Sequence, residues 1–289
     1  MKGKIKMSIL SKKIDFAAIV TVKNANPNGD PLNGNRPREN YDGFGEISDV
    51  CIKRKLRNRF QDLGQPIFVQ SDDRTDDGKK SLSERASTTI KGKMTREEYA
   101  KKACETWFDV RTFGQVFAFK TLNKNEDGVS VGVRGPVSIH QAVSILPVEI
   151  RSMQITKSVN SEPGEKKSSD TMGMKHSIVF GVYLIKGSIN VQLAEKTGFS
   201  EEDAAIIKES LRTLFENDTS SARPEGSMEV KRVFWWKHNS KSGQYSSAKV
   251  HKSLKIKPND EVKKPADFDD FIYSIEPLDG LEVEEFEGL

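Results

Sequence analysis

Apolar and polar positions alternate at period two from Asp15 to Lys23, with Phe16, Ala18, Val20 and Val22 on one side and Asp15, Thr21 and Lys23 on the other. That is the pattern of a strand with one face in the core and the other open to a ligand. Beyond the loop NANPNGDPLNGNRPREN the period changes. Ile52, Leu56 and Phe60 recur every fourth residue, which predicts a helix capped by Ser48 and stopped at Gly64. Lys53, Arg54, Lys55, Arg57 and Arg59 take the rest of that cylinder, and Lys53 and Arg57 share a face one turn apart. Thr95 with Glu98 forms a capping box ahead of a second helix carrying Tyr99, Cys104 and Phe108. Ser200 caps a third, with acidic residues in its first turn and Ala204, Ile207, Leu211, Leu214 and Phe215 as its stripe.

Between these helices, Gln65–Gln70 reads as a short strand, and the segment VSVGVRGPVSIHQAVSILPVEI as extended chain broken at Gly135–Pro136. SIVFGVYLIKGSINVQL is a strong strand. MEVKRVFWWKH is a basic-aromatic one that must send Trp235 and Trp236 to opposite faces. Residues 156–177 have almost no apolar periodicity, yet strands bound them, so they are expected to project as a hairpin. With the insertions removed, the order is βαβ–βαβ. The expected class is α+β, a ferredoxin-like antiparallel sheet with large excursions.

Charge enters through placement rather than sum. The 289 residues carry 46 Lys and Arg against 42 Asp and Glu, a net +4. Residues 1–59 and 223–264 are basic, whereas DFDDFIYSIEPLDGLEVEEFEGL is acidic and reads as an edge strand with a solvated end. Cations on a helix that follows an amide-rich loop suit a polyanion backbone, because amides and guanidinium groups both donate to phosphate oxygens. The blander reading is a solvated basic face. No leader, membrane-spanning run or fixed-period repeat is visible, so a soluble, cytoplasmic chain is expected, with Cys51 and Cys104 as reduced thiols.

Catalytic machinery is mostly missing. His140, His176, His238 and His251 are scattered without metal-ligand spacing, and no phosphate-binding loop, dinucleotide fingerprint or nucleophile elbow occurs. Neither cofactor, metal nor catalytic residue is expected. The one suggestive acid is Asp30, which either orients a water or metal near a phosphodiester or makes an Asx-turn. The aromatic octapeptide of RNA-recognition sheets is absent, which argues against ordinary base stacking on the sheet.

Four blocks, VKNANPNGDPLNGNRPREN, ISDVCIKRKLRN, DVRTFGQVFA and SSDTMGMKHSIVFGVY, together resemble the backbone subunit of type I-C Cascade. This is the RAMP-superfamily protein that polymerises along CRISPR RNA, and the similarity runs over nearly the whole chain. The resemblance implies a hand-like single domain. Its ferredoxin-like (RRM-like) palm would comprise residues 10–64, 121–155 and 178–289, with inserted helical fingers at about 65–120 and a thumb hairpin at about 156–177. It implies a non-catalytic subunit that binds crRNA through its backbone and displays bases for pairing with target DNA. Its partners would be copies of itself in a head-to-tail filament, other Cascade subunits and a recruited helicase-nuclease, with no membrane. The RNA-binding residues expected on this reading are Asn28, Asn35, Arg36 and Arg38 in the loop and Ser48, Lys53, Arg54 and Arg57 on the helix. Met172, Met174 and Lys175 would act on the thumb, the methionines as a wedge, and Ser220, Ser221 and Arg223 in a later loop. Type III backbone subunits look similar and use an acid in a comparable loop to cut RNA, so the alternative is an RNA-guided endoribonuclease using Asp30.

Overall fold

The computed structural model describes residues 8–119, 129–156 and 172–289. Strand β1 (Ile14–Ala25) runs into the two-residue strands β2 (Gly29–Asp30) and β3 (Arg36–Pro37), then β4 (Phe44–Ile47) and helix α1 (Asp49–Asp62). Helices α2 (Leu82–Thr89), α3 (Arg96–Thr106) and α4 (Phe108–Phe113) follow, with the hairpin β5 (Gly114–Phe119) and β6 (Val129–Arg134). Next come β7 (Val137–Ile139), β8 (Ala142–Pro147), β9 (Ile150–Thr156), β10 (Met172–Ile189), α5 (Val191–Thr197) and α6 (Glu201–Arg212). The chain ends with β11 (Met228–Lys237), α7 (Ser247–Ser253), β12 (Leu254–Pro258), β13 (Phe271–Ile275) and β14 (Val283–Glu287).

The main sheet has the order β14-β11-β1-β10-β8-β4, with β7 and β9 also paired to β10. Its ladders are antiparallel, β1 meeting β10 from Ile14↔Ile189 to Ala25↔Ile178. The N-caps expected at Ser48, Thr95 and Ser200 all form, the last two as full capping boxes. The acidic segment supplies the edge strand β14, paired to β11.

Phe16, Ala18, Val20 and Val22 pack under Ile52, Leu56 and Phe60 of α1 and Ile207 and Leu211 of α6, as their spacing predicts. The second face of β1 is not open to a ligand. Ala17 and Ile19 lie there in a separate cluster with Phe234, Trp236, Val250, Leu254 and Phe271, and Asp15 and Thr21 are buried. The run FAAIV is apolar on both sides, as in a strand covered on both faces, and α7 with the β12–β13 hairpin supplies the cover. Trp235 stacks on Phe16 at 5.6 Å in the first layer while Trp236 is buried in the second, so neither presents its ring to a base.

A third cluster, Phe68, Ala86, Ile90, Ala103, Cys104, Trp107, Val110, Phe117 and Val131, joins α2, α3, α4 and the β5–β6 hairpin. Residues 65–70 form no strand. The amides of Phe68 and Val69 donate instead to the Asp109 carboxylate, at 2.7 and 3.1 Å. Strands β9 and β10 pair from Ile150↔Ile178 to Thr156↔Met172 as an exposed hairpin. Residues 157–171, most of the expected thumb, lie outside the described residues. Cys51 and Cys104 are free thiols. Among the described residues no helix is long and apolar enough to cross a membrane.

Candidate nucleic-acid interface

The loop between β1 and α1 is a built surface. Asn24 and Asn35 adopt φ of 54° and 58°, a region that asparagine tolerates better than most residues. Gly29 is required by close approach, since a Cβ there would lie 1.9 Å from Asn35 Oδ1. Asn26 is buried: its amide donates to Ala222 O at 2.9 Å and its Nδ2 to Asn35 O at 2.7 Å, seating the loop against residues 218–227. Asn28 Oδ1 accepts from both the amide and the hydroxyl of Ser48, at 2.9 and 2.8 Å, while Ser48 Oγ accepts from Cys51 N at 3.3 Å. The start of α1 is thereby locked to the loop. Asp30 Oδ1 accepts from Leu32 N at 3.2 Å, the Asx-turn, and from Arg38 Nη2 at 3.4 Å. Buried Arg38 Nε has no hydrogen-bond partner among the described residues.

The basic helix face is largely used inside the molecule. Arg57 Nε donates to Asp109 Oδ2 at 2.9 Å, with Asp109 fully buried. Arg54 Nη1 donates to Val69 O at 2.7 Å, and Lys53 pairs with Asp49 one turn earlier at 3.0 Å. Buried Lys55 pairs with Asp218, and burial pulls its pKa below the ordinary lysine range. Lys53, Arg54 and Arg57, expected to meet phosphates, thus each have a partner inside the molecule, and Arg57 is the most deeply engaged of them. Their helix packs on the sheet, while Val69 and Asp109 beside the third cluster and Thr213, Glu216 and Asp218 of the 213–218 turn supply the polar partners.

The half-exposed cations are Arg36, Arg38 and Arg223. Arg223 Nε donates to Asp218 Oδ2 at 3.1 Å, tying it to Lys55. The Cys51 thiol marks where these charges converge: burial pushes its pKa up, and Lys55, Arg223 and Arg38 all oppose that shift. Ser220 and Arg223 exchange backbone hydrogen bonds of 2.9 and 3.0 Å in a narrow turn that exposes Ser221.

The hairpin adjoins this surface. Met172 and Met174 are 53% and 55% exposed, opposite Thr156 and Gln154, and Gln154 Nε2 lies 3.1 Å from Met172 Sδ. Lys175 has no ion-pair partner among the described residues. At its root, Arg36 Nη1 donates to Ser152 Oγ at 3.1 Å. Sequence reasoning missed Asn26, Ser152 and Asp218. The repeated Asn of NANPN was a signal for the first; the other two act through distant partners and left none. Among the described residues no group of three or more His, Cys, Asp or Glu side chains could hold a metal.

The family model described as CRISPR-associated protein Cas7 matches residues 12–276, from the residues before β1 through β13. This chain belongs to the Cas7 family. A curated Cas7 relative, the CRISPR-associated protein Cas7 of Haloferax volcanii, is 26% identical over 218 residues, 70% of this chain and 64% of that protein. The chain thus spans just under two thirds of that Cas7's length. One solved chain, from a CRISPR RNA-guided surveillance complex before nicking, aligns over 78% of both chains at 17% identity and a TM-score of 0.44. A second, from a CRISPR RNA-guided surveillance complex, aligns over 78% of this chain and 68% of its own at 18% identity and a TM-score of 0.39. The loop, α1, the β9–β10 hairpin and the 218–227 turn all fall within the matched Cas7 segment.

Proposed function

We propose that this chain is a non-catalytic crRNA-binding backbone subunit of a type I-C CRISPR surveillance complex. It would oligomerise head-to-tail along the guide and display bases to target DNA, beside other subunits and a recruited helicase-nuclease that acts on the target. The observation that carries this reading is the convergence of the Asn28–Ser48 lock, Arg36, Arg38 and Arg223 beside a hairpin of exposed methionines, in a chain of the Cas7 family. Amides and guanidinium groups bind phosphate without reading sequence, so base pairing is left to supply specificity.

On this reading the sheet order β11-β1-β10-β8, with α1 and α5–α6 in its crossovers, is a ferredoxin-like palm. The third cluster is the fingers, reaching past residue 120 to take in β6, and β9–β10 is the stem of the thumb, with Met172 and Met174 as an unbranched wedge. Asp30, engaged by Leu32 N and Arg38, fits a turn-forming acid better than a nuclease residue. Acidic Glu284 and Glu285 pair with Lys208 and Arg232 of their own chain, so the acidic strand is a weak candidate for contacts between copies.

Co-expression with a CRISPR array tests the proposal. Bound guide-length RNA is expected, and guides shortened in steps should remove copies one at a time, as a non-closing heterologous interface requires. A fixed dimer at every guide length would overturn the filament. Regular cuts in complementary RNA with Mg2+, abolished by Asp30→Ala, would overturn the non-catalytic assignment.

A further inference from the structure

The root of the hairpin carries a three-residue hydrogen-bond chain that joins two separate parts of the surface. Arg36 Nη1, on β3, donates to Ser152 Oγ on β9 at 3.1 Å, and Ser152 Oγ lies 2.8 Å from His176 Nδ1 on β10. Ser152 and His176 are directly paired in the β9–β10 register, so their side chains share a face. Two and four residues towards the tip, Met174 and Met172 fall on that same face, at steps of about 6.6 Å.

We infer that His176 is a further phosphate contact of the guide-RNA site, held in place by Ser152 and Arg36; this rests on the RNA-binding reading above. A hydroxyl has one proton and two lone pairs. Arg36 takes one Ser152 lone pair, which leaves the hydroxyl proton free to go to Nδ1; in that tautomer the ring proton sits on Nε2. Among the described residues Nε2 has no partner. A fixed imidazole N–H beside a guanidinium is a donor pair for an anionic oxygen, whereas the methionines beyond offer apolar surface to bases. The chain of bonds thus divides one hairpin face between the two halves of a nucleotide.

Charge makes the inference testable. The groups facing the ring are Arg36 from β3 and, through it, Glu39, whose Oε1 lies 3.8 Å from Arg36 Nε. Arg151 and Lys175 neighbour the pair in sequence but fall on the opposite face by register. A phosphodiester held between His176 and Arg36 favours the imidazolium, so RNA binding takes up a proton. The other described histidines are remote from the hairpin root: His238 is buried on Asp15, and His140 and His251 lie against each other at 5.8 Å.

The test is the affinity of the full chain for a guide RNA between pH 5.5 and 8, with His176→Gln, Ser152→Ala and His176→Arg beside the natural sequence. The natural chain is expected to tighten as pH falls. His176→Gln should bind about 3- to 10-fold more weakly at pH 6, the loss of one charge-assisted contact, and match the natural chain near pH 8. His176→Arg should restore affinity with a flat profile, and Ser152→Ala should weaken binding while keeping pH dependence. Parallel pH profiles for the natural chain and His176→Gln would overturn the inference and leave RNA binding standing. Failure of the natural chain to bind RNA at any pH would overturn the RNA-binding reading itself.

Discussion

Arg57 Nε donates to Asp109 Oδ2 over 2.9 Å, and the same carboxylate takes the amide protons of Phe68 and Val69. One buried acid therefore joins the basic helix to the segment leading into the third cluster. Removing the cation leaves a fully buried carboxylate without its hydrogen-bonded ion-pair partner. Arg57→Ala is expected to destabilise the chain by about 3–5 kcal/mol, read from urea unfolding. The salt dependence of RNA binding by the folded fraction should not change. A flatter salt slope at unchanged stability would return Arg57 to the phosphate contacts.

Arg36, Arg38 and Arg223 should carry the salt dependence instead. Each phosphate neutralised on a single strand contributes about 0.7 to the slope of log K against log salt, so the triple alanine variant should flatten it by about 2. The loss should be the same for guides of unrelated sequence. Filter binding at stepped salt concentrations measures both.

The thiols should be poor nucleophiles. Burial pushes Cys104 up to about 11 and raises Cys51 as well, against the pull of Lys55, Arg223 and Arg38. Because the thiolate is the reactive form, alkylation of both at pH 8 is expected to be slow in the native chain and fast in urea. Bound RNA should slow Cys51 further and leave Cys104 unchanged, since only Cys51 lies beside the Ser48 cap.

Acid should loosen the second layer. Burial lowers the His251 pKa below its ordinary 6.5, outweighing the favourable Asp15 charge and Gly187 carbonyl, while His140 and Lys186 push the same way as burial. The folded chain then binds fewer protons than the unfolded one, so stability falls as pH drops from about 7 through 6.5 and levels off below the folded-state value. Urea midpoints against pH should show this decline, and His251→Gln should flatten it.

Local signals were legible where the partner lies within a turn. Ser48, Thr95 and Ser200 cap because each hydroxyl meets an amide three residues on, and Asp30 makes its Asx-turn two residues on. The inner partners of the basic helix were not legible because they are remote: Asp109 lies 52 residues from Arg57, and Asp218 lies 163 from Lys55. Periodicity cannot show an acid folding back from that distance. The same blindness applied to β1, where Asp15 and Thr21 looked like a wet face although Ala17 and Ile19 between them were apolar. Residues 65–70 looked like a strand, but the amides of Phe68 and Val69 donate to a carboxylate rather than to a neighbouring strand.

Each of the three hydrophobic clusters holds one of the three tryptophans: Trp235 in the first, Trp236 in the second and Trp107 in the third. The chain therefore carries its own set of optical reporters. Variants keeping a single indole would give three fluorescence transitions, one from each layer. Coincident midpoints would mean that the inserted cluster melts with the sheet. An earlier Trp107 transition would mean that the insertion opens while both sides of the sheet stay closed.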